Sequence, residues 1–109
     1  MQMTTNEFPA VGHRYLVDFV DFRVQLFFSS LTSMTYTGVR PDGTLGSSET
    51  VVIVVQPVRD DLFLVYWQES DKTTVVHLED YKEMKITTCI TGPDLSFQQF
   101  HGTMTPISD

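Results

Sequence analysis

From Arg14 to Thr103 the chain is a succession of short runs of alternating hydrophobicity, each closed by turn residues. In Arg14–Phe19, Tyr15, Val17 and Phe19 face one way, against Arg14, Leu16 and Asp18. Phe22–Phe28 alternates again, and further strand-length runs follow at Leu31–Thr37, Thr50–Gln56 with five consecutive aliphatics, Leu62–Gln68 as the most apolar, Thr73–Glu79, Met84–Thr91 and Leu95–Thr103. A period of two is the signature of a strand, and no 3.6-residue pattern lies between these runs. The punctuation is equally clear. Arg40-Pro41-Asp42-Gly43, Ser70-Asp71-Lys72 and Gly92-Pro93-Asp94 are turn sequences, Thr44–Ser48 reads as a small-residue loop, and Pro57–Asp61 reads as a break. Val, Ile and Thr together supply 31 residues while Ala occurs once, at Ala10, which favours pleated sheet over helix.

Parallel strands need long crossovers, and none is present, so the sheet is predicted to be antiparallel. Eight to nine strands joined by short turns hide their edges best by closing into a meander barrel, with a two-sheet sandwich as the competitor. At 109 residues there is chain for one domain. Residues 1–11 read as a flexible lead-in and residues 12–107 as the barrel.

Composition excludes several functions. With 14 Asp and Glu against 7 Lys and Arg, the net charge of −7 disfavours nucleic acid. The longest apolar runs, Val51–Val55 and Leu62–Trp67, are far too short to span a bilayer as a helix. The first residues lack the basic and apolar parts of a secretory signal, so a cytoplasmic protein without membrane association is expected. Cys89 is alone, which leaves no internal disulfide. The glycines read as turn residues, and no phosphate-cradling loop is formed. No His-x-His or His-x-x-x-His spacing supports a metal centre built from Glu69, His77, Glu79 and His101, so no metal and no cofactor are expected. Glu79-Asp80 reads as a pair of solvated turn charges.

An eight-stranded barrel is wide enough to be filled by its own side chains or to hold one small ligand. Which face of Leu62–Glu69 points inward is not settled by hydrophobicity, because Leu62, Leu64 and Tyr66 rival Phe63, Val65 and Trp67. Apolar residues on both faces also point to a homodimer, since a small barrel needs one face for its interior.

Gly12-His13-Arg14-Tyr15, Met34-Thr35-Tyr36-Thr37, Tyr66-Trp67-Gln68-Glu69 with Thr74-Val75-Val76-His77, and Phe100-His101-Gly102-Thr103 resemble the MoaF-like family of small lipocalin-like (calycin) barrels. The resemblance implies a ligand-holding barrel. Gly12 and Trp67-Gln68-Glu69 are also distantly similar to phenolic acid decarboxylases, in which the Glu of Trp-x-Glu points into the barrel beside two substrate-orienting tyrosines. Val17 and Phe19 stand where those hydroxyls would be, which argues against decarboxylation. This alignment implies an inward set of Tyr15, Val17, Phe19, Phe63, Val65, Trp67, Glu69, Val75 and His77.

The expected function is therefore the binding of a small hydrophobic or aromatic molecule, with Tyr36 added to that set as a further lining residue. Glu69 and His77 are the polar contacts, and they are the candidate acid/base residues if the barrel is instead a cofactor-free lyase or isomerase. A third reading is a structural barrel filled with side chains.

Overall fold

Cross-strand pairing builds one continuous sheet. The computed structural model describes residues 7–108. Its strands are β1 (Arg14–Asp18), β2 (Arg23–Ser30), β3 (Ser33–Val39), β4 (Leu45–Val52), β5 (Val54–Arg59), β6 (Leu62–Gln68), β7 (Thr74–Asp80), β8 (Lys85–Thr91) and β9 (Phe97–Ile107). No helix occurs among the described residues, and so none is long and apolar enough to cross a membrane.

All pairs are antiparallel, in the order β4-β3-β2-β1-β9-β8-β7-β6-β5. The edge strands β4 and β5 are consecutive in the chain and meet at the buried Ile53. One bent segment therefore pairs with β3 through its first half and with β6 through its second. The sheet curls until its ends share that segment, which gives the lipocalin-like barrel rather than a sandwich.

Three local expectations are corrected. Thr44–Ser48 is largely strand, because β4 begins at Leu45. Its small polar residues pair across to β3 through hydroxyls, Thr37 Oγ1 to Ser48 Oγ at 2.7 Å and Thr35 Oγ1 to Thr50 Oγ1 at 2.6 Å. Pro57 does not end its strand. It lies opposite Phe63 on an edge strand, where a missing N–H is tolerated, and the register shifts between Pro57 and Arg59. The glycines are not confined to turns: Gly38, Gly46 and Gly102 lie within β3, β4 and β9.

Inward residues stack in layers set by the register. Trp67, Val75 and Ile90 are cross-strand neighbours in the first layer. Val65, His77, Thr88 and Phe100 form the second. Phe63, Glu79, Ile86 and Gly102 form the third. Aromatic rings close the third-layer end. Phe8 meets Phe28, Phe63 and Tyr81 edge-on at centroid distances of 5.1, 5.2 and 5.6 Å, and Tyr15 meets Tyr81 at 5.6 Å. Phe8 and Ala10, placed by the sequence in a flexible lead-in, are thus buried core residues; the first six residues of that lead-in lie outside the described residues. On the outer face, Val54, Tyr66, Val76 and Leu78 keep part of their apolar surface exposed.

A cavity at the open end of the barrel

The first two layers do not fill the barrel. A cavity of about 270 Å³ lies there, walled by Phe19, Leu26, Tyr36, Trp67, Val75 and Ile90. Glu69, His77 and Thr88 are polar residues of its wall, Glu69 at the open end and His77 and Thr88 one layer deeper, and Arg23 also borders it. Strand alternation delivers these residues. Trp67 is buried while its neighbours Tyr66 and Gln68 are exposed, which fixes the face of β6 that hydrophobicity left open.

Trp67 organises one wall. Its Nε1–H donates to Glu69 Oε2 at 3.2 Å. Its ring stands edge-on to His77, with centroids 4.7 Å apart at 80°, and lies nearly parallel to Tyr36 at 6.4 Å and 24°. Tyr36 donates to Glu49 Oε1 at 2.6 Å, and the backbone N–H of Ser70 donates to Glu49 Oε2 at 3.0 Å. Glu49 thereby ties β4 to the turn after β6, at the side where β4 and β6 are not paired. Those two hydrogen bonds, led by that from Tyr36, hold the Glu49 carboxyl below its ordinary range.

Beneath His77 lies a buried polar chain. His77 Nδ1 is 2.8 Å from Glu79 Oε2, and Tyr81 donates to Glu79 Oε1 at 2.6 Å. Glu79 is 0% exposed, which corrects its reading as a solvated turn charge. The physical reason is alternation: residues 75, 77 and 79 share the inner face, and His77 and Tyr81 satisfy the carboxylate there. A carboxylate oxygen accepts, so Nδ1 carries the hydrogen and Nε2 is the acceptor of a neutral ring. No hydrogen bond to Nε2 is formed among the described residues.

Burial pushes the phenols of Tyr15 and Tyr81 above their ordinary range, and the Glu79 charge adds to it. Tyr36 is raised by burial, by its hydrogen bond to Glu49 and by the charge of Glu69. An unfolded tyrosine loses its proton near pH 10, whereas these three lose theirs only above it. Their contribution to stability is complete below about pH 10 and is lost as pH rises through the folded values. Ultraviolet titration of tyrosinate should therefore show three of the four tyrosines ionising late and together with unfolding. Four tyrosines ionising together near pH 10 in folded protein would contradict the geometry.

Of the residues proposed from sequence, Phe19, Tyr36, Trp67, Glu69, Val75 and His77 line the cavity. Tyr15, Val17, Phe63 and Val65 face inward but belong to the packed core and do not border it. Leu26, Glu49, Thr88 and Ile90 were not singled out. The signal for Thr88 and Ile90 was their alternation on β8, facing His77 and Val75. Among the described residues, no group of three or more His, Cys, Asp or Glu is placed to hold a metal ion. His101 lies on the exposed side of β9, where its Nδ1 meets Thr87 Oγ1 at 2.9 Å.

The same architecture and sequence pattern occur elsewhere. The family model described as MoaF-like matches residues 11–105. A crystal structure described as a "putative beta-lactamase" from Burkholderia vietnamiensis superposes with a TM-score of 0.83 at 25% identity, covering 92% of this chain and 97% of that one. No curated protein matches the chain.

Proposed function

Because the chain belongs to the MoaF-like family, we propose that its barrel is a binding module that takes a small, flat, largely apolar molecule into the cavity beside Trp67. The observation that carries this reading is the cavity itself: about 270 Å³, with mostly apolar walls and a few polar residues among them. Apolar walls give affinity, while one or two buried polar groups fix orientation. An apolar cavity of roughly 150 Å³ takes up benzene, so this one has room for one ring or two fused rings.

Trp67 is the only tryptophan, so its fluorescence reports on this wall alone. Titration with a small nitroaromatic quencher is expected to saturate, and Val75→Phe, which places a ring in the cavity next to Trp67, is expected to weaken that saturable quenching while circular dichroism stays β-rich. Linear, unsaturable quenching that is the same in both proteins would remove the binding reading and favour a structural barrel.

A second reading, acid/base catalysis, draws on the His77–Glu79 contact. A buried carboxylate orients an imidazole whose other nitrogen has no partner among the described residues, which is how a general base is held. Ligand turnover that stops in His77→Gln while binding persists would be its signature. The β-lactamase activity in the structural neighbour's description finds no support in the cavity lining. Thr88, the buried hydroxyl on the cavity wall, has no lysine among the lining residues, so the Ser/Lys pairing of serine β-lactamases has no counterpart.

A further inference from the structure

We infer that the cavity selects neutral ring compounds bearing a hydroxyl group, and that it seats that oxygen between His77 and Thr88. The inference rests on the binding reading above and adds the chemical class of the ligand.

Thr88 is 0% exposed and lines the cavity, and its Oγ1 has no hydrogen-bond partner among the described residues. A buried hydroxyl without a partner is costly and rare, and on a cavity wall a bound molecule can supply the missing partner after a small side-chain adjustment. His77 is its direct cross-strand neighbour on β7. Directly opposed residues present their side chains on the same face about 5 Å apart, so one ligand atom reaches both.

The two groups ask for complementary things. Glu79 accepts from Nδ1 of His77, which in the neutral ring leaves Nε2 as an acceptor. The Thr88 hydroxyl has its hydrogen to give. A ligand O–H satisfies both, donating to Nε2 and accepting from Oγ1. An ether or carbonyl oxygen satisfies Thr88 alone. A carboxylate would lie one layer from the buried Glu79 and share the cavity with Glu69, and no lysine lines the walls. Arg23 borders the cavity, but its guanidinium is directed to the Arg40 carbonyl, Nη2 to O at 3.4 Å. An anion is therefore disfavoured, and an ammonium has no lone pair with which to accept from Thr88, so the group seated there is neutral. The near-parallel rings of Tyr36 and Trp67 make the walls suited to a flat body.

The test uses calorimetry with an isosteric pair, 4-methylbenzyl alcohol and 4-ethyltoluene, on the wild type and Thr88→Val. The expected result is that the preference for the alcohol over the hydrocarbon falls about tenfold in Thr88→Val, with hydrocarbon affinity unchanged. In the wild type, 4-methylbenzaldehyde, which accepts but cannot donate, should bind about tenfold more weakly than the alcohol; this comparison needs no variant to fold. If alcohol, aldehyde and hydrocarbon bind alike and Thr88→Val changes nothing, the hydroxyl seat is overturned and the apolar cavity stands. If none of the three binds the wild type, the binding reading fails and this inference with it.

Discussion

Replacing Glu79 with alanine is expected to lower folding stability by about 3–5 kcal/mol, the loss typical of stripping one partner from a buried, hydrogen-bonded charged group. The carboxylate is 0% exposed and accepts from Tyr81 at 2.6 Å while contacting His77 Nδ1 at 2.8 Å. Alanine would strand both donors inside the barrel and open a void beside Phe63 and Ile86, its cross-strand neighbours. Glu79→Gln keeps the shape and one acceptor but turns an amide donor toward another donor, so a smaller loss of about 1–2 kcal/mol is expected. Since domains of this size are stable by only about 5–15 kcal/mol, the alanine variant should show a large fall in its urea midpoint. An alanine variant within about 1 kcal/mol of wild type would mean that the His77–Glu79–Tyr81 chain does not hold this end of the barrel.

The fold was legible because its signal repeats. Most of the nine strands carry their own alternation, and the turns between them use residues whose dihedrals suit reversal. Boundaries blurred where the physics is not hydrophobic. The first half of β4, Leu45–Glu49, has almost no apolar residues, and hydroxyl and carboxylate contacts to β3 hold it. Such contacts leave no periodicity to read. Phe8 gave no pattern either. It is a single aromatic in a polar stretch, and its burial depends on where β2, β6 and the turn after β7 bring Phe28, Phe63 and Tyr81.

The candidate site was half legible for a related reason. Alternation carries Trp67, Val75 and His77 inward, but it does not say which inward residues pack and which border empty space. That depends on depth along the barrel. Val65 and Trp67 share a face of β6, yet Val65 is sealed in the core and Trp67 borders the cavity. Glu79 was misread because charge at a strand end is usually solvated. The counter-signal was His77-x-Glu79-x-Tyr81, three polar groups at alternate positions on or next to an inward face, able to satisfy one another.

Gly102→Ala is expected to cost about 3 kcal/mol, at the upper end of ordinary overpacking, and to weaken ligand binding as well. The cause is space rather than dihedral freedom. A Cβ at Gly102 would lie 2.3 Å from the Asp18 carbonyl oxygen and 2.9 Å from Phe19 Cδ1. Asp18 ends β1, opposite Thr103 of β9, so its carbonyl cannot retreat without loosening the β1–β9 pairing. Phe19 would move with it, and Phe19 walls the cavity, packing on Phe22 at a centroid distance of 4.9 Å and facing His77 at 6.5 Å. Gly43→Ala is the informative contrast. Gly43 sits in an exposed turn at φ +88° with nothing within 4 Å of an added Cβ, so its cost is backbone strain alone, about 1 kcal/mol, with no effect on the cavity. Urea unfolding of the two variants, with quencher titration of Trp67 in each, separates the effects. Equal stability losses, or unchanged saturation in Gly102→Ala, would show that β1 yields more easily than its pairing with β9 implies.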